Sequence, residues 1–203
     1  MINTRKERLR DKIWDILEKN NININHCHGR IPNFCGSTAA ADILRGLDEW
    51  AEANVIFCSP DSAQQKIREY TLVDGKDLIM PSPKLQKGYL IIKAADVEGR
   101  TKIASSISGA FRYGKTLNIF PKVDMVIEGS VAVDLNGNRL GKGGGYGDTE
   151  ISHLFNEDSI NNKTHIVTIV HQVQIVENIP MESHDQKINM IVTPNEVIRI
   201  KIS

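Results

Sequence analysis

The chain has 203 residues, 40% of them hydrophobic and 25% charged, with 25 Lys and Arg set against 25 Asp and Glu. That is an ordinary globular composition, and the balanced charge excludes a broad phosphate-tracking or membrane-surface face, so any anion site must be local. No apolar run approaches the roughly 20 residues needed to span a bilayer, and Cys27, Cys35 and Cys58 are too sparse for a disulfide framework.

The first 20 residues are charged and amphipathic, with no apolar h-region, so a cytoplasmic chain is expected. Leu9, Ile13, Ile16 and Leu17 recur at helical spacing behind Asn3 or Thr4 as cap. A polar connection follows, and its His26, Cys27, His28 and Cys35 fit no usual structural zinc spacing. "STAAADILRGLDEWAEA" reads as one helix, capped by Ser37 or Thr38 with Ala41, Leu44, Leu47 and Trp50 on one face. In "RIPNFCGS" before it, Asn33, Gly36 and Ser37 read as helix-capping residues or as a small-molecule contact at that helix start.

"NVIFCS" is short, apolar and β-branched, a buried strand. "PDSAQQKIREYTLVDG" is a helix entered through Pro60 and Asp61, with Asp61 as cap, and closed by Gly75. "DLIMP" and "GYLIIKA" are strands, and residues 96–122 read ambiguously, with room for one short helix. "VDMVIEGSVAVD" is the strongest central-strand signal, and "LNGN" after it is turn chemistry. "YGDTEISHLFNE" opens a helix, "THIVTIVHQVQIV" is one long strand or two short ones, and "INMIVTPNEVIRIKI" gives two more. Helices alternate with buried strands and no linker splits the chain. The expectation is one α/β domain, residues 1–203, with a mainly parallel sheet.

"NRLGKGGGYGD", residues 138–148, lies between a predicted strand and a predicted helix. Glycines let the backbone approach a ligand, and successive N–H groups at a helix start make an anion cradle to which Lys142 adds a point charge. The stretch lacks the Gly-Lys-Ser/Thr ending of a Walker loop and the spacing of the dinucleotide fingerprint. A plain turn is the alternative. Asp148 serves either as a favourable charge at the helix dipole or as a hard oxygen ligand for Mg²⁺. His171 ends an apolar run, as a hydrogen-bonded edge histidine or as a proton-handling group.

"DMVIEGSVAVDLNGNRLGKGGGYGD" resembles the signature region of the 5-formyltetrahydrofolate cyclo-ligase family, where an apolar strand and G-x-R-x-G lead into G-x-G-K-G-Y-Y-D. "RKERLR" resembles that family's N-terminal Lys-x-x-Leu-Arg through Lys6, Leu9 and Arg10, and "IPMESHDQKINMIVTP" its late aspartate segment through Asp185. "RIPNFCGSTAAADIL", "SPDSAQQKIREYTLVDGKDLIMPSPKL" and "TIVHQVQIV" are similar to the branch of archaeal and synthetase-domain-containing proteins. The resemblance covers residues 5–199.

It implies a three-layer Rossmann-like domain that turns 5-formyltetrahydrofolate into 5,10-methenyltetrahydrofolate, with ATP and Mg²⁺. It implies that Lys6, Arg10 and Lys142 are catalytic cations. Lys6, Arg10, Arg139, Gly141, Lys142, Gly143, Gly144, Gly145 and Tyr146 would bind ATP, and Asp148 and Asp185 would hold the metal. The expected partner is a folate-like small molecule, with no nucleic acid or membrane, in a monomer or homodimer. Gly144 stands where the family carries lysine and Gly147 where it carries a second aromatic. The family's substrate glutamate has no counterpart near "CGSTAAAD". The alternative is therefore a nucleotide- or phosphate-binding relative that has lost the folate reaction and acts on another metabolite. An RNA-binding role is disfavoured by the absence of an aromatic–basic run.

Overall fold

The computed structural model describes residues 2–201. Its helices are α1 (Ile2–Lys19), α2 (Ser37–Arg45), α3 (Asp48–Glu52), α4 (Gln65–Val73), α5 (Thr101–Ala104), α6 (Ile107–Tyr113) and α7 (Tyr146–Asn156). Its strands are β1 (Val55–Cys58), β2 (Asp77–Pro81), β3 (Tyr89–Ile92), β4 (Lys115–Thr116), β5 (Met125–Ile127), β6 (Ala132–Asp134), β7 (Arg139–Leu140), β8 (His165–Ile169), β9 (Ile175–Val176), β10 (Met190–Val192) and β11 (Val197–Arg199).

Eight strands form one sheet in the order β11-β10-β8-β5-β1-β2-β3-β4. The run from β10 to β2 is parallel, with Ile56 opposite Met125 and Ile127 opposite Val167, and β3, β4 and β11 add antiparallel edges. A parallel centre needs cover on both faces, and the strands show it. Ile56 and Cys58 face a core made with Ala41 and Leu44 of α2, Trp50 of α3 and Ile67 of α4. Phe57, between them, faces the opposite core with Ile151 and Leu154 of α7. The period of two thus assigns each strand residue to one of two layers. The mainly parallel three-layer arrangement expected from the sequence is present.

A second sheet, β7-β6-β9, packs against α1 through Ile13, Trp14 and Leu17 with Val131, Ala132 and Leu140. Its existence corrects the single strand expected over "VDMVIEGSVAVD". The chain leaves the large sheet at Glu128 and enters the small one at Ala132. "THIVTIVHQVQIV" divides likewise, into β8 and β9, across a 3-10 turn capped by His171, whose Nδ1 accepts from the Val173 amide at 3.3 Å.

Other expectations shift locally. The helix over residues 37–53 breaks at Gly46 and Leu47 into α2 and α3, and Gly36, in the left-handed region at φ 96°, precedes α2 in place of a Ser37 or Thr38 side-chain cap. Asn3 and Thr4 lie inside α1. Asp61 makes no capping bond, and the segment it opens is a 3-10 turn followed by α4. Residues 96–122 hold α5, α6 and β4 where one helix was expected. No helix among the described residues is long and apolar enough to cross a membrane.

Candidate functional site

The glycine loop is held at both ends. Upstream, the buried Asp134 closes the β6–β7 turn: its Oδ1 accepts from the Asn136 and Asn138 amides at 2.9 and 3.1 Å, and its Oδ2 from Asn138 Nδ2 at 2.8 Å. That hairpin sets Arg139 into the interior, 4% exposed. Downstream, α7 begins at Tyr146. Gly143 and Gly145 sit at φ 106° and 68°, in the region where a Cβ is strained, so these two glycines are needed for the path of the chain.

Between the anchors the backbone is uncommitted. Among the described residues no protein acceptor takes the amide hydrogens of Lys142 to Asp148, and the next amide, Thr149, donates to Gly145 O at 3.0 Å. Those amides stand beside a cavity of about 790 Å³. Its walls include Gly141, Lys142, Gly144–Asp148 and Arg139, facing Ser59–Ser62 beyond β1 and Glu128 beyond β5. These are the carboxyl ends of parallel strands, where an open α/β sheet places its ligands.

The sequence-expected residues fall into two groups. Arg139, Gly141, Lys142, Gly144, Gly145, Tyr146 and Asp148 line the cavity; Lys6, Arg10, Gly143 and Asp185 do not. Arg10 reaches the loop from α1, its Nε donating to Gly141 O at 2.8 Å, with its guanidinium about 3.5 Å from where a Gly143 Cβ would stand. Lys6 pairs with Asp185 at 2.5 Å and Glu182 at 2.9 Å. Burial works against both charges. The hydrogen bonds and charges of the pair outweigh it, so the Lys6 pKa is raised and that of Asp185 lowered. Lys142 reaches across the mouth to Asp61 Oδ1 at 3.1 Å.

Asp148 accepts through Oδ1 from Arg139 Nη2 at 2.8 Å and from the Gln186 amide at 3.0 Å. Its other oxygen has no protein donor among the described residues, so this carboxylate suits a hard cation. Asp185 Oδ2 is held by Lys6 and by the Glu182 amide at 2.6 Å. Glu182, His184 and Asp185 lie close enough together to hold an ion, without Asp148. His26 and His28 face Glu18 and Asp15 on α1, and Cys27 is buried against Trp14.

Sequence reasoning missed Ser59, Asp61 as a cavity residue, Glu128 and Glu150, all of them in the cavity wall. Glu128 and Glu150 are 3% and 5% exposed and lie close enough to act on each other's charge. Burial pushes both carboxyls up, Glu150 further because the charge of Glu128 adds to it, while Arg139 holds Glu128 down. The signal was an acid inside the apolar run "DMVIEGS", where a structural strand has no use for one.

The family model described as 5-formyltetrahydrofolate cyclo-ligase family matches residues 2–194. The chain belongs to this family. It is 36% identical over 204 aligned residues to the methenyltetrahydrofolate synthase domain-containing protein of Bos taurus, covering 95% of this chain and 53% of that one. The Homo sapiens protein of the same description is 34% identical over the same shares. The chain therefore spans about half the length of these curated relatives. The 5-formyltetrahydrofolate cyclo-ligase of Escherichia coli is 36% identical over 76 residues, 37% of this chain and 39% of that one.

Among solved structures, the 5,10-methenyltetrahydrofolate synthetase of Aquifex aeolicus superposes with a TM-score of 0.62 at 22% identity, over 97% of this chain and 93% of the other. The Mycoplasma pneumoniae enzyme of the same description gives 0.55 at 13% identity, over 92% and 97%. At these identities the two structures establish the shared fold.

The family positions that differ have physical occupants here. A Cβ on Gly144 would meet the Tyr146 ring at 2.5 Å. One on Gly147 would come within 2.8 Å of Arg139 Nη2 and 3.0 Å of Glu128 Oε2.

Proposed function

We propose that the chain converts 5-formyltetrahydrofolate to 5,10-methenyltetrahydrofolate with ATP and Mg²⁺. The observation that carries this reading is the run of uncommitted amides from Lys142 to Asp148, beside a cavity large enough for a substrate-sized ligand. Family membership supplies the reaction class.

The formyl oxygen is a poor leaving group until it accepts the γ-phosphoryl of ATP, with ADP released. The second folate nitrogen then attacks the activated carbon, loses its proton, and phosphate departs. Such chemistry needs charge neutralisation and in-line positioning more than acid–base help. The loop amides and Lys142 would hold phosphate oxygens, and Arg10 would keep the loop in shape through Gly141. Asp148 would hold the cation, which supplies charge neutralisation between the phosphates. Lys6 and Asp185, paired with each other here, would part: the ammonium toward phosphate, the carboxylate toward the cation.

The test is incubation of purified protein with 5-formyltetrahydrofolate, ATP and Mg²⁺, following the methenyl chromophore. Product formation, lost without ATP, is the expected result. No product at high protein concentration, with both ligands shown to bind, refutes it.

The filling of the Gly147 space by Arg139 and Glu128 favours a second reading, a phosphate-binding relative acting on a different metabolite. Calorimetry separates the two. ATP binding without 5-formyltetrahydrofolate binding supports the second, and binding of both supports the first.

A further inference from the structure

Ser59 and Glu128 directly follow β1 and β5, the two strands at the middle of the large sheet. The Ser59 amide donates to Ile127 O at 2.9 Å, so the two residues leave the sheet side by side. Both line the cavity, at 2% and 3% exposed, and both carry a side-chain oxygen with no partner, Ser59 Oγ and Glu128 Oε1. A buried polar atom left unsatisfied is uncommon and calls for a partner from outside the chain, a ligand or a water. The lack of a Cβ at Gly147 leaves room for Glu128 Oε2 against α7, and Oε1 has no hydrogen-bond partner.

We propose that Glu128 Oε1 and Ser59 Oγ together recognise the N–H donor edge of a planar amino-heterocycle. The Arg139 charge favours ionised Glu128, and that form only accepts hydrogen bonds, whereas a hydroxyl both accepts and donates, so the pair then selects a group presenting at least one N–H. The apolar Ile31, Pro60, Pro83 and Ile107 in the same walls suit a flat ring beside that polar point. No loop amide takes part in this contact, so its hydrogen bonds are separate from those of the phosphate cradle. The inference rests on the reading of the cavity as an ATP and folate site and names the residues that would hold a heterocycle there. Two heterocycles carry this chemistry, the adenine of ATP and the aminopyrimidinone ring of the folate.

The experiment is calorimetric titration of wild type and Glu128→Gln with Mg-ATP, with tripolyphosphate and with 5-formyltetrahydrofolate. Gln keeps the shape and removes the charge-assisted acceptor, which weakens the contact by about tenfold or more. A selective loss for 5-formyltetrahydrofolate assigns the point to the folate ring. A loss for Mg-ATP with tripolyphosphate unchanged assigns it to adenine. All three affinities within twofold of wild type would overturn the proposal, as would equal weakening of all three, the mark of a structural role. Wild type binding none of them removes the function proposed above and this contact with it. Should Glu128→Gln fail to fold, Ser59→Ala is titrated in the same way and judged by the same outcomes.

Discussion

Gly147 offers the sharpest test of how the site is packed. In Gly147→Ala the new Cβ stands 2.8 Å from Arg139 Nη2, 3.0 Å from Glu128 Oε2 and 3.1 Å from Arg139 Cζ. The guanidinium is not free to swing away. Nη1 donates to Gly129 O at 3.1 Å, Nη2 to Asp148 at 2.8 Å, and the side chain is 3% exposed. Overpacking costs about 1–3 kcal/mol, and pulling Nη2 off Asp148 forfeits a charged hydrogen bond of about 1.5–3 kcal/mol. Replacing a helical glycine by alanine returns about 1 kcal/mol. The net is a loss of about 1.5–5 kcal/mol, or a fall of roughly 3–20 °C in Tm for a chain of this size. The control is Gly145→Ala, at φ 68° with nothing within 4 Å of its Cβ. There backbone strain of about 1–2 kcal/mol is the whole cost. Calorimetry of both variants decides the matter. A Gly147→Ala protein as stable as wild type would refute the packing argument, because the helix-propensity gain would then have prevailed.

Burial raises Glu128 and Glu150 well above the ordinary carboxyl range. The stability their protonation lends is fully present below their ordinary range near 4.5 and is lost as pH rises through the folded values. Glu150→Gln should therefore gain Tm relative to wild type between pH 5 and 9, and parallel curves would contradict this. Lys6→Met strips the ammonium from Asp185 and should cost about 3 kcal/mol in urea unfolding. Asp185, held below its usual range, lends stability above pH 3.8 that is lost as pH falls through its folded value, and this acid limb should disappear in Lys6→Met. A cost under about 1 kcal/mol would show the pair to be solvated. Iodoacetamide at pH 8 should label Cys35 alone, since burial pushes Cys27 to about 11 and Cys58 to about 12. Labelling of Cys58 in the folded protein would show that its core opens.

The central sheet was legible because its strands are short apolar runs separated by turn chemistry, and a parallel centre demands such runs. The switch between sheets at Glu128 was not legible. "VDMVIEGSVAVD" keeps its apolar character through the bend, and periodicity cannot register a change of partner. The glycine loop stood out through composition and through its place before a helix. The acids around it were hidden because Asp61 resembles a cap and Glu150 an ordinary helix residue, and only tertiary placement puts them in one cavity. Lys6 and Asp185 were singled out through family resemblance, 179 residues apart in sequence, and nothing local in the chain announces that they pair.

Seen residue by residue, Gly144 and Gly147 look like losses, one of a phosphate-directed cation and one of an aromatic wall. The structure gives both glycines a spatial reason. The Tyr146 ring lies where a Gly144 side chain would begin, and Arg139 with Glu128 lies where a Gly147 side chain would begin. Restoring lysine at 144 would expel Tyr146 from the cavity wall, and restoring an aromatic at 147 would drive Arg139 off Asp148. Tyr146 and Arg139 belong to the family motif and Glu128 does not, so an aromatic restored at 147 meets a residue outside the motif, and that single reversion should damage the site rather than repair it. Arg139 lies beside Glu128 and Glu150, and burial disfavours the ionised form of both acids, so this wall is a buried polar cluster rather than a set of fixed charges. The unpartnered oxygen of Glu128 in that wall is the atom on which the Glu128→Gln titrations bear.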